Sequence, residues 1–304
     1  MTEMIPFLPP EALKAEFVVA SLSETTDWGL SYVGIPEFHK LTKGAGITVA
    51  VLDTGGPTHD DLNANLLPAL NCSGTQTGDD KQGHGTHVAG IIAALQNGVG
   101  VVGVAPEAKV LPIKVLDDGG HASFAVIERG IREATAAGVD IINMSLGAQV
   151  QPPASLHEAI KEASAKGIIL IAAAGNDAGA VNWPARYDEV IAVAAMGQDG
   201  KMARFSSRGD QIAVGAPGVN VYSTYLNNQY AVLNGTSQAA PFMAGVCALI
   251  LAHKRANPGE APITSTQDML RELDKICDPA GRVATGKDGE FGFGIPSFAN
   301  IPWK

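Results

Sequence analysis

The stretch Ile47-Thr48-Val49-Ala50-Val51-Leu52-Asp53 decides the fold of this chain. Its first six residues are apolar or β-branched with no regular polar alternation, the profile of a strand buried on both faces of a sheet. The strand ends in Asp53, which is followed by Thr54-Gly55-Gly56. A carboxylate at the carboxyl end of a central strand lies where open α/β sheets bind their ligands. The stretch therefore predicts a buried parallel sheet with a polar site at one edge.

Further apolar stretches alternate along the chain with segments of helical spacing. Residues 110–115, 139–144, 168–174 and 190–195 have the composition of buried strands, and 124–137 and 156–166 that of amphipathic helices. This alternation predicts an α/β domain with a mostly parallel central sheet and helices on both faces. A chain of 304 residues, 46% of them hydrophobic, can bury the core of one such domain.

Charge and composition narrow the classes of partner and compartment. A formal net charge of −10 argues against nucleic acid and anionic membrane as partners, because both select basic patches. The sequence shows neither an apolar run of the roughly 20 residues that span a bilayer nor a leader of the secretory kind. Three cysteines, Cys72, Cys247 and Cys277, lack the spacing of a disulfide framework. We expect a cytoplasmic protein with reduced thiols; secretion is the alternative if an export signal has been removed.

A second glycine-bounded segment, Gly83-His84-Gly85-Thr86-His87-Val88-Ala89-Gly90, begins a predicted helix of small residues. His84 and His87 are three residues apart and would share one helix face. Two such histidines can bind a metal, but the glutamate that lies between them in a zinc-protease helix is missing. We therefore expect His84 to be the chemically active ring and His87 to hold a buried structural partner.

The third segment, Asn234-Gly235-Thr236-Ser237-Gln238-Ala239-Ala240-Pro241, places a small serine where another helix begins. Gly235 allows a close backbone approach, and the alanines keep the first helical turns slim. Free N–H groups and the positive end of the helix dipole favour negative charge at this position. Taken alone, the segment fits both an N-cap serine and a nucleophile, since serine is a favoured N-cap.

Asp53, His84 and Ser237 follow one another in one of the three chain orders in which hydrolase triads occur. A serine hydroxyl is a poor nucleophile until a neighbouring imidazole takes its proton. A buried carboxylate fixes the tautomer of that imidazole and stabilises the imidazolium that forms. The three residue types, in this order, predict nucleophilic catalysis by serine.

The segments that carry these residues, 51–55, 84–90 and 235–237, resemble the signatures of the subtilisin family of serine proteases, and the resemblance runs from about residue 44 to residue 251. It implies one subtilisin-like catalytic domain, which we place at residues 21–304, and a serine endopeptidase of broad specificity acting on peptides or unfolded proteins. A homodimer is expected from this resemblance alone. Two alternatives stay open: a ligase that passes the acyl group to a peptide amine, and an inactive peptide-binding module.

The resemblance assigns further residues to the site. Residues 168–174 lead into Gly175-Asn176, and in the family the asparagine at this point donates its amide N–H to the oxyanion; the alternative for Asn176 is a plain turn. The family's substrate-binding positions correspond to Gly119, Ser145, Leu146, Gly147, Ala173, Ala174 and Gly175. Asp177 is either a charge at the pocket mouth that favours basic substrates or a solvated loop acid.

The stretch Leu95-Gln96-Asn97-Gly98-Val99-Gly100-Val101 interrupts the helix that begins at His84 and resembles the family's strong calcium loop. The resemblance implies a structural calcium ion held by the side chains of Asp61 and Asn97 and by the carbonyls of Leu95, Val99 and Val101. All five groups are oxygen donors, as a hard cation requires. The alternative is a plain surface loop.

Residues 1–20 form a predicted N-terminal extension. Glu3-Met4-Ile5-Pro6-Phe7 resembles the short Ile-Pro-aromatic element of the intracellular subtilisins, which lies across the active site as an inhibitor. A proline lacks an N–H and has a fixed φ, so such a segment can fill a cleft without presenting a cleavable bond. The alternative is a hydrophobic tether. One departure from the family concerns the nucleophile's neighbour, where Gln238 replaces the usual methionine.

Overall fold

The computed structural model describes residues 3–8, 15–18, 23–278 and 288–298. The boundary that we predict at residue 20, between the extension and the catalytic domain, lies outside the described residues. The strands are β1 (Ile5–Pro6), β2 (Glu16–Val18), β3 (Thr48–Asp53), β4 (Leu70–Asn71), β5 (Lys109–Lys114), β6 (His121–Ala122), β7 (Ile141–Met144), β8 (Ile169–Ala173), β9 (Val190–Met196), β10 (Ile212–Pro217), β11 (Val221–Tyr225), β12 (Gln229–Leu233), β13 (Cys277–Asp278) and β14 (Ile295–Pro296). The helices are α1 (Trp28–Val33), α2 (Ile35–Phe38), α3 (His84–Ala93), α4 (Phe124–Ala136), α5 (Ala154–Ala165), α6 (Thr236–Ala256) and α7 (Thr266–Ile276).

Seven strands form the central sheet in the order β10-β9-β8-β7-β3-β5-β4, and every neighbouring pair is parallel. β3 lies near the middle, with Val49 opposite Val110 of β5 and Ile141 of β7. From Val49 to Asp53 the strand is buried, as its apolar composition predicts. The carboxyl ends of β3, β7 and β8 therefore meet at one edge of the sheet, which confirms the predicted α/β architecture.

Helices cover both faces of this sheet. Val49 and Val51 point into a core shared with α3 and α6, whereas Ala50 and Leu52 point into a second core shared with α4 and α5. The alternation follows from the two-residue period of a strand, whose successive side chains leave opposite faces. Both faces of β3 are thus buried under helices, so its polar terminal residue is held in a dry environment.

α6 is the long core helix. It has the length and mean hydropathy of a membrane-spanning helix, but its apolar window is entirely buried inside the domain. Such burial on all sides explains why the sequence from Thr236 to Leu251 is apolar without an amphipathic stripe. Among the described residues, α6 is the one helix with these properties.

The sequence analysis missed β10 and the three-stranded antiparallel sheet β11-β12-β2. β10 contains Gly215 and ends at Pro217, two residues that weaken a strand pattern. β7 begins at Ile141, two residues later than the apolar run predicts, because Gly138 adopts a left-handed φ of 69° after α4. A further short pair, β1 with β6, lies beside the same edge of the central sheet.

Candidate active site

Asp53 and His84 form a buried pair at the carboxyl edge of the sheet. Asp53 is the last residue of β3 and is fully buried, and His84 is the first residue of α3 and is 1% exposed. His84 Nδ1 lies 2.8 Å from Asp53 Oδ1, which also accepts from the Thr54 amide at 2.7 Å. With Nδ1–H donating to the carboxylate, the neutral ring keeps Nε2 as a proton acceptor.

The surroundings of His84 set its protonation. Burial by itself lowers the pKa of His84, but the charge and hydrogen bond of Asp53, with the charge of Asp80, outweigh burial and raise the pKa above the ordinary value of 6.5. His84 Nε2 is buried and has no hydrogen-bond partner among the described residues. The ring is therefore an oriented base whose reactive nitrogen is free.

The start of α3 depends on Gly83. This residue has φ +102°, and a Cβ placed on it would lie 2.3 Å from the Tyr225 ring. Only glycine fits both the left-handed φ and the close approach. The His84 amide then donates to the side-chain oxygen of Gln82 at 2.8 Å, which fixes the first helical turn.

Asp80 joins the two segments that carry Asp53 and His84, and the sequence analysis missed it. Its Oδ1 accepts from the Thr54 hydroxyl and from the amides of Gln82 and Gly83, at 2.9, 3.0 and 2.9 Å. Its Oδ2 accepts from the amide and hydroxyl of Thr86 at 2.8 and 2.6 Å. Asp80 thereby satisfies free N–H groups at the beginning of α3 and ties them to the residue after Asp53. Asp80 lies in a polar loop whose sequence has neither helical nor strand periodicity, so no pattern indicated its role.

Lys114 is a second buried charge that the sequence analysis missed. It is 1% exposed and lies opposite Asp53 in the pairing of β3 with β5. Its ammonium group donates to the carbonyl of Thr54 and, at 2.9 Å, to Asp118. Lys114 thus connects the loop after β3 to the segment that precedes β6.

Ser237 is the second residue of α6 and is 2% exposed. Its carbonyl accepts from the Ser145 hydroxyl at 2.8 Å, which in turn accepts from the Asn143 amide at 3.0 Å. The Ser145 hydroxyl therefore holds the backbone of Ser237 by a hydrogen bond. Among the described residues, no hydrogen bond joins the Ser237 hydroxyl to His84 Nε2. Such contacts are often long in ligand-free sites and tighten when substrate binds.

Asn176 is anchored beside Ser237 through its side-chain oxygen. Oδ1 accepts from the amide and the hydroxyl of Thr236, at 2.9 and 3.0 Å. The same hydroxyl accepts from the Gly175 amide at 3.1 Å. With Oδ1 held in this way, Nδ2 lies 3.5 Å from the point where a Cβ on Gly235 would be. The free amide N–H of Asn176 is therefore next to the loop that presents Ser237.

Gln238 follows Ser237 and is fully buried. Neither atom of its amide has a hydrogen-bond partner among the described residues. Its Oε1 lies 2.9 Å from the position of a Cβ on Gly235, which shows how closely the side chain folds back over this glycine.

A cavity of about 340 Å³ lies beside Ser237 and Asn176. Five of the predicted substrate-binding residues line it: Leu146, Gly147, Ala173, Gly175 and Asp177. The other three are not among its lining residues. Ser145 and Ala174 are buried, and the Gly119 amide donates to Asp117 at 2.9 Å in the turn before β6. The cavity is largely apolar, with its charge at the rim.

The charge at the rim is Asp177, which is exposed and bonded to a neighbour. Asn182 donates to Asp177 Oδ2 at 3.2 Å, and Gln149 donates to Asn182 Oδ1 at 2.6 Å. Asn182 also packs against Gly175, where an added Cβ would lie 2.7 Å from Asn182 Cγ. The hydrogen-bonded side-chain amide of Asn182 therefore forms the side of the pocket near Gly175. One carboxylate oxygen of Asp177 already accepts a hydrogen bond from this amide.

Residues 5–8 form part of the wall of this cavity. β1 pairs antiparallel with β6, with Ile5 opposite Ala122. The Phe7 amide donates to the Gly120 carbonyl at 3.1 Å, and the Phe7 carbonyl accepts from the Gly147 amide at 3.2 Å. The Phe7 ring is 2% exposed and packs edge-on against Phe124, with ring centroids 5.4 Å apart. The segment is thus bound by main-chain bonds from both walls of the cleft.

The five predicted calcium-binding residues come together around Asp61. Its carboxylate is 2% exposed and accepts from the Asn97 side chain and the Val101 amide, both at 2.9 Å, and from the Tyr230 hydroxyl at 3.2 Å. Burial raises the pKa of Asp61. The carbonyls of Leu95, Val99 and Val101 accept no hydrogen bond from the described residues. A buried carboxylate with unused carbonyls nearby is a donor set that fits a hard cation.

The described residues contain no group of three or more His, Cys, Asp or Glu side chains that could hold a metal ion. His87 instead lies between the strands of the smaller sheet, with Nε2 at 3.1 Å from the Ala231 carbonyl and 3.2 Å from the Val221 carbonyl. Burial and the neighbouring His84 lower the pKa of His87 to about 3. It is a neutral structural ring.

Comparison with known proteins matches residues 44–294 to the family model described as the subtilase family. M-protease of Shouchella clausii (strain KSM-K16) is 44% identical over 247 residues, which cover 79% of this chain and 62% of M-protease. Subtilisin Savinase of Lederbergia lenta is 44% identical over 243 residues, covering 78% of this chain and 87% of that protein. The minor extracellular protease Epr of Bacillus subtilis (strain 168) is 38% identical over 286 residues, covering 91% and 42% of the two chains.

The position of Asp80 leads to a prediction about pH. Only neutral His84 accepts a proton, so kcat/KM should rise with pH through a midpoint above 6.5, the ordinary histidine value. Asp80→Asn removes a negative charge that favours the imidazolium, so the midpoint should move to lower pH. Losing acceptors for buried donors should also reduce the free energy of unfolding by about 1–3 kcal/mol.

The matched control is Asp79→Asn, which removes the same charge from an exposed neighbour. Profiles of kcat/KM against pH for the three proteins make the comparison. A loss of stability in Asp80→Asn with an unmoved midpoint would mean that Asp80 has no electrostatic effect on His84.

Proposed function

This chain belongs to the subtilase family, and from that membership we propose that it is a serine endopeptidase working through an acyl-enzyme. Its match covers 62% of the length of M-protease, so the activity of the whole protein is part of the proposal. The observation that carries it is the buried 2.8 Å bond from His84 to Asp53, at the same sheet edge as Ser237 and Asn176.

Each residue has a role that its contacts support. Ser237 attacks the substrate carbonyl while His84 Nε2 takes its proton, and the imidazolium then gives that proton to the leaving amine. Asp53 fixes the Nδ1–H tautomer and stabilises the imidazolium. Asn176 Nδ2, with the Ser237 amide, donates to the oxyanion, and Thr236 holds Asn176 in position beforehand. A donor fixed before the reaction lowers the barrier without reorganisation.

A fluorophosphonate probe tests the function. It should label the chain at Ser237, and Ser237→Ala should abolish both labelling and peptide hydrolysis. In subtilisin itself, removal of the triad serine lowers kcat by about a millionfold, so a comparable loss is expected here. Ser73→Ala, which changes a loop serine, is the control and should keep both properties. Labelling elsewhere, or hydrolysis that survives Ser237→Ala, would contradict the proposal.

We propose broad specificity with an apolar preference before the cut bond. The cavity wall is formed by small and apolar residues, among them Leu146, Gly147 and Ala173, so peptide backbone supplies much of the affinity. Asp177 is exposed and already accepts from Asn182, which supports tolerance of lysine or arginine rather than a strong requirement for them.

We further propose that residues 1–20 inhibit the enzyme. The support is the position of residues 5–8, which line the cavity beside Ser237 and are held in the cleft by β1 and by both main-chain bonds of Phe7. A substrate needs the same donors and acceptors, so the two compete. Pro6 has no N–H to offer within this segment, in keeping with an occupant that resists cleavage.

Phe7→Asp in the full chain tests the inhibition. The ring is 2% exposed, so a charged side chain would have to leave the cleft and release the segment. Losing the burial of one phenylalanine should raise kcat/KM on small peptides at least about tenfold. Met4→Asp places the same charge at a position that is 54% exposed and should change little. Equal kinetics for Phe7→Asp and the unchanged chain would contradict inhibition.

We propose a structural calcium ion at Asp61. The side chains of Asp61 and Asn97 and the carbonyls of Leu95, Val99 and Val101 would hold it, and the ion would supply binding energy that joins the Asp61 turn to the loop 95–101. All five proposed ligand atoms are oxygens, and the pKa of Asp61, raised by burial, marks a carboxylate that a cation would stabilise.

Chelation tests the ion. A chelator should lower the Tm by several degrees, because it removes binding energy available only to the folded state. Asp61→Asn removes the one negative ligand, so its Tm should be lower at the start and insensitive to chelator. If a chelator leaves the Tm of the unchanged chain where it was, the calcium proposal is wrong.

Compartment and assembly remain predictions. The charge of −10 supports a protein without nucleic acid or anionic membrane partners. We keep the cytoplasm as the expected location; the name of one relative, an extracellular protease, supports the alternative of secretion. The homodimer is likewise proposed from the resemblance to the family.

A further inference from the structure

The N-terminal segment pairs with the domain at two separate places. β1 pairs with β6 in the cleft, and β2 pairs with β12 of the smaller sheet. In the second pairing, Glu16 is opposite Val232, Phe17 opposite Ala231 and Val18 opposite Tyr230. β12 already pairs with β11 along its other edge, so β2 occupies the one edge of β12 that is left.

The two pairings follow the order of the chain. β1 precedes β2, and residues 5–8 line the cavity beside Ser237. β12 leads directly into Asn234 and the loop before Ser237, and β2 is antiparallel to it. Glu16 is therefore at the end of β12 nearest the nucleophile, and Val18 is farther away. A polypeptide that runs in the same direction as the extension therefore meets β6 before β12.

An aromatic platform lies beside the β12 edge. The ring of Phe17 contacts that of Tyr225 edge-on, with centroids 5.5 Å apart. Phe17 is 64% exposed although it is paired, whereas Tyr225 is 7% exposed and packed with Ala231 and Leu233. Tyr225 is also tied to the catalytic segment, since its hydroxyl donates to the Gln82 carbonyl at 2.9 Å. Tyr225 is thus fixed within the domain, whereas Phe17 of the extension contacts it with most of its own ring exposed.

We propose that the β12 edge, with Tyr225 beside it, is a docking strand for the part of a polypeptide substrate that follows the cut bond. The inference rests on the proposed endopeptidase function and extends it to the leaving-group side. Strand addition supplies affinity from main-chain bonds, and so it suits extended, unfolded polypeptide of varied sequence. Tyr225 favours an apolar or aromatic residue at the position that Phe17 occupies.

The edge has the features of a strand-addition site. Its N–H and C=O groups need partners once β2 leaves, and an unpaired strand edge is a template for another chain. The extension uses this template in cis, which shows that it accepts a three-residue antiparallel ladder. A substrate that displaces the extension from the cleft would meet the same edge next.

Peptide binding to the full chain tests the docking strand. Two variants are compared. The first carries Phe7→Asp, which opens the cleft, and Ser237→Ala, which prevents turnover. The second carries both changes and Phe17→Pro. Proline at residue 17 lacks the N–H of a ladder strand and so removes β2 from the edge. The probes are a fluorescent peptide ending two residues after its cleavable bond, the same peptide lengthened by six residues that include phenylalanine, and the lengthened peptide with alternate N-methyl amides in the extension.

Fluorescence anisotropy should show that lengthening lowers the Kd about tenfold or more in the Phe17→Pro chain, the gain expected of one or two net main-chain hydrogen bonds. N-methylation should cancel that gain, because it removes the donors without shortening the peptide. The gain should be smaller when Phe17 is retained and β2 competes for the edge.

Equal affinity for the short and long peptides in the Phe17→Pro chain would overturn the docking strand, and so would a gain that survives N-methylation. Failure of the proposed function is a different result: the Phe7→Asp chain, with its cleft open and Ser237 intact, would not react with fluorophosphonate. Because binding is measured without turnover, the two failures are distinguishable.

Discussion

The buried hydrogen bond between Asp53 and His84 is the contact on which the rest of the site depends. It joins the end of the central strand β3 to the first residue of α3, 31 residues later in the chain, across a distance of 2.8 Å. Both groups are buried. An isolated charge in such an environment would be costly, whereas a paired charge is held firmly. The bond leaves Nε2 as the acceptor that serine chemistry needs, and it raises the pKa of His84 against the effect of burial.

Much of the surrounding structure serves to hold this pair in position. Asp80 ties the residue after Asp53 to the beginning of α3, and Gly83 is the residue that lets the chain turn there under Tyr225. Ser145 and Thr236 hold the backbone of Ser237 and the amide of Asn176 from the other side. Three parallel strands end at this edge, so short polar side chains suffice to connect them. β6 borders the same edge and pairs with β1, and β12 leads into the loop before Ser237.

The sequence predicts what depends on local pattern and misses what depends on partners. Apolar runs such as 47–52 and 168–174 identify strands of the sheet, because a strand buried on both faces has few other compositions. The glycine-bounded segments predict Asp53, His84 and Ser237 as a catalytic set, because these residue types follow one of the three chain orders in which hydrolase triads occur. Asp80 and Lys114 could not be found in this way, since each acts through a group distant in sequence. Asp80 lies in a polar loop, and Lys114 lies in the predicted strand 110–115, whose pattern does not show what its side chain contacts. β10, with Gly215 and Pro217, and β2, whose pairing requires β12, were missed for related reasons.

The central claim is that Asp53 holds the Nδ1 proton of a buried His84. ¹⁵N-labelled histidine measures this directly by NMR, since a proton in a short bond to a carboxylate gives a strongly downfield Nδ1–H signal. The account predicts one such signal in the folded chain, present below and above the titration of His84 and absent from Asp53→Ala. A signal that persists in Asp53→Ala, or its absence from the unchanged chain, would contradict the account.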